Sequence, residues 1–332
     1  MISFIVIGRN EGWKLTNSFK SIHNTITENN ISDYEILYID SQSDDDSVER
    51  AKEFKEIVIF KITGVCNAAV ARNIGARESK GEVFFFIDGD IELIPKFLAK
   101  VIEKNGKLKY DCVSGQVDNM LYDIHGNFLG RSPASYTGTS LPLKEKILKT
   151  NGGIFLIKRS CWNKVKGMKT RYRKNQDLDL TLRLKKQGII SIRIPDLMAL
   201  HHTIDYRDTN RMWKMVFSGD ILYPPVLLRE HLLNFQKLKH SIRKQYSSFV
   251  LLLSLPWLFV NTGLFMMFFI FYLLINATKT FLNVLKIKCP GKSKSVYFFE
   301  RIGFQMISDI LFWLAFIFFF PRDKKKEYVR IN

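Results

Sequence analysis

The sequence predicts an α/β fold in which a mostly parallel sheet is flanked by helices, with amphipathic and membrane helices following at the C-terminal end. In the N-terminal part, short runs rich in Ile, Val, Phe and Tyr alternate with segments that have apolar residues at helical spacing. Such alternation is typical of right-handed βαβ units, whose sheet is buried on both faces. In the C-terminal part, long apolar runs beside dense Lys and Arg indicate membrane-associated helices.

Four of the short apolar runs predict strands, because each is bounded by polar or turn residues. These strands are residues 3–7, 35–40, 57–62 and 83–88. The helical spacing between them is carried by Trp13, Ser18, Ile22 and Ile26 and by Ala68, Ala71, Ile74 and Ala76. Because ligands of such sheets bind beyond the carboxyl ends of the strands, we expect a site at residues 8–11, 40–46 and 88–90.

The next part of the chain, residues 105–149, contains turn signals and predicts a substrate-facing excursion. The turn residues are Asn127, Gly130, Pro133, Gly138 and Pro142. A regular pattern then returns. It predicts a strand over 154–157, a helix over 177–187 that Gly188 ends, and a final strand over 189–194 that Pro195 stops.

From about residue 207 the apolar residues recur every three or four positions with Lys and Arg between them. The apolar positions are Leu228, Leu232, Phe235, Leu238, Ile242 and Tyr246. This pattern predicts a basic amphipathic helix, either on an anionic bilayer surface or docked on the first domain. We therefore expect three parts: a domain at 1–205, interfacial helices at 206–246, and membrane-associated helices with a basic loop and tail at 247–332.

Two nearly uninterrupted apolar runs occupy residues 249–275 and 307–320. The first is long enough to span about 30 Å of hydrocarbon. Two simple spans would put the basic residues between the runs outside, against the positive-inside tendency. Alternatively, Asn261, Thr262 and Gly263 could reverse the first run as a re-entrant hairpin. Both topologies remain open from the sequence.

The net charge of +18 favours an anionic partner. The basic residues are interleaved with membrane-length apolar runs, so we expect membrane lipids as a partner and no nucleic acid. Four widely spaced cysteines, Cys66, Cys112, Cys161 and Cys289, form no Cys-x-x-Cys pair and indicate neither a zinc site nor a disulfide scaffold. The apolar N-terminal run lacks a basic leader, so we expect the first domain to face the cytoplasm.

Two carboxylates bracket one glycine at the end of a strand in Asp88-Gly89-Asp90. Oxygen ligands at that position can hold Mg²⁺ or Mn²⁺ bridging a diphosphate, and Gly89 permits close approach of the backbone. The alternative for such a tripeptide is a simple turn. Asp40 ends another strand, where its carboxylate can accept hydrogen bonds from a uracil-like base or a ribose. Arg72, on a helix of small residues, could bind a base or phosphate, or could be an ordinary surface arginine.

In this order and spacing, the motifs resemble family-two inverting glycosyltransferases with the GT-A fold, over about residues 1–200. The matching residues are Arg9-Asn10-Glu11, Asp40, Ala71-Arg72-Asn73-Ile74-Gly75, Asp88-Gly89-Asp90, Gly152-Gly153 and Asn175-Gln176-Asp177-Leu178-Asp179. The resemblance implies that Asn10 and Glu11 lie in the donor site, that Asp40 and Arg72 bind the nucleotide, and that Asp88 and Asp90 bind diphosphate and metal.

The resemblance also implies that Asp177 is the general base, although Gln176 replaces the Glu usual before it. Asp179 is the alternative base, which helical spacing should turn to another face. His201 or His202 would be a further metal ligand; otherwise the two cap a loop near the membrane.

The resemblance implies a bacterial surface-polysaccharide enzyme that transfers a sugar, with UDP favoured as the nucleotide, to a lipid-linked oligosaccharide or other glycan acceptor. It would lie on the cytoplasmic face of the inner membrane. The alternatives are a polyprenyl-phosphate glycosyltransferase and a non-enzymatic scaffold of a polysaccharide-assembly complex.

Overall fold

A computed structural model describes residues 1–103, 105–123, 125–133, 144–148, 150–204, 210–286 and 293–332. The turn residues Gly138 and Pro142, and also Cys289, lie outside this range. The chain divides into two compact units. Unit 1 comprises Met1–Asp205 and Arg322–Asn332, and unit 2 comprises Tyr206–Pro321. Residues 322–332, which the sequence grouped with the membrane-associated helices, thus belong to unit 1.

Unit 1 consists of one sheet with helices on both faces. Its strands are β1 (Ile2–Gly8), β2 (Tyr34–Asp40), β3 (Ile57–Ile62), β4 (Val83–Asp88), β5 (Ile91–Leu93), β6 (Cys112–Tyr122), β7 (Phe128–Pro133), β8 (Lys146–Ile147), β9 (Phe155–Lys158), β10 (Ser191–Ile204) and β11 (Tyr328–Arg330). Its helices are α1 (Trp13–Glu28), α2 (Ser47–Lys52), α3 (Ala68–Glu78), α4 (Pro95–Val101), α5 (Arg159–Lys164) and α6 (Gln176–Lys186).

The sheet is mixed rather than mostly parallel, with the order β11-β3-β2-β1-β4-β9-β6-β10-β5, and with β7 and β8 beside β6 and β10. Strands β1 to β4 pair in parallel, as their continuous apolar sequences predict. Beyond β4, β9 runs antiparallel to both β4 and β6. One apolar cluster lies on each face, with α1 and α4 on one side and α3, α5 and α6 on the other.

The last large strand, β10, does not stop at Pro195 but continues to Ile204. Its pairing with β6 shifts register between Arg193 and Leu197, so that Pro195 lies in an irregular stretch without ladder pairing. A Cβ on Gly115 of β6 would lie 2.9 Å from the backbone oxygen of Asp196, so the glycine leaves room for this irregularity. The two histidines expected in a following loop are therefore part of β10.

The C-terminal tail adds an edge strand to unit 1. Strand β11 pairs antiparallel with β3, and the ring of Tyr328 contacts that of Phe60. Asp323 accepts hydrogen bonds from the backbone nitrogen of Arg171 (3.0 Å) and from its guanidinium (2.7 Å). The tail therefore covers the edge of β3, which would otherwise present unpaired backbone groups.

Unit 2 is helical. Its helices are α7 (Asn210–Phe217), α8 (Tyr223–Glu230), α9 (Phe235–Lys244), α10 (Tyr246–Ser254), α11 (Trp257–Val260), α12 (Thr262–Lys286) and α13 (Lys294–Phe318). The predicted single amphipathic helix is thus divided between α8 and α9. The first apolar run reverses direction at Asn261. Two contacts show this: Trp257 stacks on Phe268, and Tyr246 contacts Lys279. A reversal at Asn261, Thr262 and Gly263 was one of the two alternatives that the sequence left open, and its being a re-entrant hairpin in a bilayer stays a prediction.

Candidate active site

The carboxyl ends of three parallel strands meet at one edge of unit 1. Gly8 of β1 pairs with Asp40 of β2, and Ile7 pairs with Asp88 of β4. A cavity of about 550 Å³ opens at this edge. Six of the predicted residues line it, namely Glu11, Arg72, Asp88, Asp90, Asp177 and His201. Asn10, Asp40 and His202 are not among its lining residues.

Asp88 is held by Arg72. One guanidinium nitrogen lies 2.5 Å from the Asp88 carboxylate and 3.0 Å from the carbonyl oxygen of Gly153. Burial raises the pKa of Asp88, the charge of Arg72 opposes this rise, and the charge of Asp90 adds to it. A Cβ on Gly153 would lie 2.0 Å from the other Asp88 oxygen, so only glycine permits this arrangement. Arg72, predicted to bind the nucleotide, thus contacts the carboxylate that faces the cavity.

Asp90 pairs with His201, whose Nε2 lies 3.1 Å from the carboxylate. The other ring nitrogen of His201 lies 3.0 Å from the amide oxygen of Asn119. Burial lowers the pKa of His201, but the hydrogen bond and charge of Asp90 outweigh it and leave the pKa above its usual value. The pKa of Glu11 is raised to about 7, first by burial and then by the charge of Asp90.

These acidic residues suit a divalent cation. Glu11, Asp88 and Asp90 repel one another, and a cation among them would remove that repulsion. Mg²⁺ usually takes one or two carboxylates and completes its shell with phosphate oxygens and water. Within the described part of the chain, no cluster of three or more His, Cys, Asp or Glu side chains is arranged to hold a metal ion alone. The residues therefore fit a cation that is shared with a bound diphosphate.

His202 points away from this cluster, since successive side chains of a strand alternate between its two faces. Its Nδ1 lies 2.9 Å from the Tyr122 hydroxyl, and its Nε2 lies 2.9 Å from the Glu92 carboxylate. The ring also contacts the ring of Trp13. Of the two predicted histidines, only His201 has its imidazole against the Asp90 carboxylate; His202 reaches Asp90 through its backbone nitrogen alone.

Asp40 is fully buried at the end of β2. Its carboxylate accepts hydrogen bonds from the Tyr38 hydroxyl (3.2 Å) and from the backbone nitrogen of Ser43 (3.0 Å). Asn10 fixes the same loop, because its backbone nitrogen donates to Ser43 and its amide oxygen accepts from the backbone nitrogen of Asp44. In this structure both predicted residues shape the loop after β2, and their contact with a nucleotide stays a prediction.

Asp177 lies in the first turn of α6, preceded by Asn175 in the left-handed conformation (φ 65°). Its carboxylate faces the cavity and accepts a hydrogen bond from the Thr150 hydroxyl. Asp179, the alternative base, is fully buried and pairs with Arg183 at 2.8 Å and Lys169 at 3.7 Å. Asp179 is not among the residues that line the cavity, so of the two candidate bases only Asp177 faces it.

Two basic residues that the sequence reasoning missed also line the cavity. They are Arg173 and Lys174, directly before the turn into α6. The signal for them was a run of cations from Lys169 to Lys174 ahead of the predicted base. Together with the α6 N-terminus, they can attract the negative charge of a diphosphate.

A larger cavity of about 1090 Å³ lies at the opposite end of the strands, where Met1, Asp33 and Lys158 contribute to its wall. It contains none of the carboxylates discussed above. Because ligands of open α/β sheets bind at the carboxyl ends of the strands, we assign the candidate site to the smaller cavity.

The fold and the acidic site define an α/β domain of the kind that binds nucleotides at the carboxyl ends of its strands. Residues 3–166 match the Glycosyl transferase family 2 profile. The matched segment, just under half of the chain, is thus similar to family 2 glycosyltransferases. The helix-flanked sheet confirms the expected α/β, GT-A fold class.

Two curated proteins are similar over part of their length. An uncharacterized glycosyltransferase of Haemophilus influenzae is 28% identical over 174 residues, which are 49% of this chain and 56% of that protein. The poly(ribitol-phosphate) beta-N-acetylglucosaminyltransferase TarP of Staphylococcus aureus is 31% identical over 135 residues, 40% of this chain and 38% of TarP. This chain thus spans about half or less of these relatives. Among solved structures, GalNAc-T7 with UDP, GalNAc and Mn²⁺ matches with a TM-score of 0.48 and 17% identity, covering 61% of this chain and 44% of that one.

Proposed function

We propose that this protein transfers a sugar from a nucleotide-sugar, with UDP favoured, to a hydroxyl of a glycan acceptor and inverts the anomeric configuration. One observation carries the proposal: Asp177 lines the same 550 Å³ cavity as Asp88 and Asp90. A base for the acceptor and carboxylates for a metal–diphosphate are the two parts that direct displacement requires.

In the proposed reaction the acceptor hydroxyl attacks the anomeric carbon from the side opposite the nucleotide. Asp177 takes the hydroxyl proton as the new C–O bond forms, and the bond from carbon to the diphosphate oxygen breaks with its electron pair. The hydrogen bond from Thr150 fixes the orientation of the Asp177 carboxylate. A single displacement of this kind inverts the configuration and needs no covalent intermediate.

The departing nucleoside diphosphate gains negative charge, which the site must stabilise. Asp88, Asp90 and His201 would hold Mg²⁺ or Mn²⁺, which when bound neutralises this charge. Arg72 holds Asp88 in place, and Arg173 and Lys174 add positive charge to the cavity wall. Because these groups are fixed before the reaction, little reorganisation is needed as charge develops.

For the acceptor, we propose a lipid-linked oligosaccharide, with a polyprenyl phosphate as the alternative. The name of TarP describes transfer to poly(ribitol-phosphate), which supports an acceptor that contains phosphate groups. Unit 2 supports membrane association. Helices α12 and α13 are long and apolar enough to cross a bilayer. In the most apolar segment of each helix, only 17% of the residues are buried within the protein. A core helix of a soluble protein would be mostly buried.

We propose the cytoplasmic face of the inner membrane as the location. The exposed apolar surface of α12 and α13 supports contact with a bilayer. Basic residues of unit 2 such as Arg243, Lys244 and Arg301 support contact with anionic lipids.

The experiment that tests this function is nucleotide release by the purified full-length protein from a panel of nucleotide-sugars. Reactions contain Mg²⁺, Mn²⁺ or EDTA, with and without a lipid extract. We expect release from one donor that depends on the metal and increases with the extract. If no donor is bound or cleaved under any condition, the protein is a scaffold and the proposal is wrong.

A further inference from the structure

Unit 2 contains a cavity of about 470 Å³ whose wall is strongly basic. Arg243 and Lys244 come from α9, Lys279 from α12 and Arg301 from α13. No Asp or Glu is among its lining residues, and none of these four cations forms an ion pair with a described carboxylate. Four cations that converge on one cavity repel one another, so an anion bound there would be stabilised by all of them.

The positive charge of Lys279 is especially costly without an anion, because its surroundings are apolar. It lies in the apolar helix α12, with its ammonium 4.7 Å from the centre of the Tyr246 ring. The neighbouring carboxylate, Asp309, is fully buried and accepts hydrogen bonds from the Tyr272 hydroxyl (3.1 Å) and the Gln305 amide (2.8 Å). Asp309 therefore acts on Lys279 from behind the wall. One carboxylate cannot balance four cations, and a cation in apolar surroundings requires an anionic partner.

We propose that this cavity binds the terminal phosphate of a membrane lipid. A terminal phosphate has three acceptor oxygens and close to two negative charges, which match converging Arg and Lys side chains. The wall also offers neutral donors in Thr280, Asn283 and Ser308. A phosphodiester headgroup has one charge fewer and two of its oxygens esterified, so it would satisfy fewer of these donors.

The surroundings of the cavity favour a lipid over free phosphate. Phe281, two residues after Lys279, and Phe299, two residues before Arg301, expose 54% and 70% of their surface. Two positions apart on a helix, these rings project from the opposite faces of α12 and α13 to Lys279 and Arg301. The outer faces of these helices can therefore contact bilayer hydrocarbon while the cations bind a lipid headgroup. The identification of this lipid with the polyprenyl phosphate named above as the alternative acceptor rests on the proposed function, but binding can be measured without transfer.

The test is binding of the full-length protein to two kinds of phosphatidylcholine vesicle. One contains a polyprenyl monophosphate, and the other contains enough phosphatidylglycerol to give the same total negative charge. The variants are Lys279→Gln and Arg301→Gln, with Lys294→Gln, an exposed residue of α13 outside the cavity wall, as matched control. We expect saturable binding to the monophosphate that each cavity variant weakens about tenfold or more. Lys294→Gln should retain binding within about threefold, because a screened surface charge contributes little. Arg301→Lys should also do so, because it keeps the positive charge in the cavity wall.

Three outcomes would overturn the proposal. Equal binding to both vesicle types, or equal weakening by all the Gln variants, would indicate attraction to any anionic surface. Inorganic phosphate that competes at the same concentration as the lipid would indicate a free-phosphate site. Circular dichroism shows whether a variant is unfolded. If Arg301→Gln is unfolded, lipid binding by Arg301→Lys is the measurement that tests the proposal. Nucleotide release without lipid should be unchanged in every variant, so loss of lipid binding is distinguishable from loss of the proposed transferase activity.

Discussion

The guanidinium of Arg72 lies 2.5 Å from the carboxylate of Asp88, the first carboxylate of the Asp88-Gly89-Asp90 motif. Arg72 is almost fully buried on α3, and Asp88 faces the cavity at the end of β4. A helix between β3 and β4 thus sets the position of a residue that would bind the diphosphate and metal. The same guanidinium donates to Gly153, so it connects three segments that are distant in the sequence.

Replacing Arg72 by Lys should reduce turnover although the positive charge is kept. A lysine has no planar fork and cannot reproduce the paired contacts with Asp88 and Gly153. We expect kcat/KM to fall about tenfold to a hundredfold, equivalent to one or two charge-assisted hydrogen bonds. Arg77→Lys, an exposed position on the same helix, is the matched control and should keep full activity. Equal losses in the two variants would contradict this role of Arg72.

Adding one methyl group at Gly153 should displace Asp88. In Gly153→Ala the new Cβ would lie 2.0 Å from one Asp88 oxygen and 3.3 Å from the Arg72 guanidinium. We expect the affinity for Mn²⁺ in the presence of nucleoside diphosphate to fall at least tenfold, measured by calorimetry. Gly303→Ala provides the control, because nothing lies within 4 Å of the added carbon there. Unchanged metal affinity in Gly153→Ala would show that Asp88 does not bind the metal.

The two carboxylates of α6 should give opposite results when each is changed to Asn. Asp177→Asn should lower kcat about a hundredfold to ten-thousandfold with donor binding retained, because only the base is lost. Asp179→Asn should instead destabilise unit 1 by about 3 kcal/mol, since it leaves Arg183 without its buried partner. Steady-state kinetics and urea unfolding of both proteins distinguish the two roles. A stable Asp179→Asn protein without activity would reverse the assignment.

Much of the site could be predicted because it depends on local patterns. Strands β1 to β4 are buried on both faces, so their apolar runs gave the bounds to within a residue, and Asp40 and Asp88 follow from those bounds. The different roles of Asp177 and Asp179 could be predicted only in part. Helical spacing turned it to another face, but its ion pair with Lys169 comes from a different segment.

Other features depend on contacts between distant segments, which one sequence does not reveal. A proline ordinarily ends a strand, but β10 continues past Pro195 because Gly115 of the neighbouring strand leaves room for an irregularity. Once β10 includes the two histidines, alternation directs only the His201 ring to the Asp90 carboxylate. The pairing of β11 with β3 joins residues more than 260 positions apart, and no local pattern predicts it.

The attachment of the C-terminal tail should depend on pH through Asp323. Burial tends to raise the pKa of this carboxyl, but hydrogen bonds from Arg171 and Thr170 outweigh it and hold the pKa below its usual value. A carboxyl whose pKa is lower in the folded state stabilises that state above its unfolded pKa of about 4, and the stabilisation is lost as the pH falls through the folded value. At neutral pH, Asp323→Asn should therefore be less stable than the unchanged protein, and the difference should shrink below about pH 4. Thermal unfolding of both proteins from pH 7 to pH 3 measures this, with Asp196→Asn as a carboxylate control in the same unit. A difference that stays constant across this range would mean that the Asp323 charge does not hold the tail.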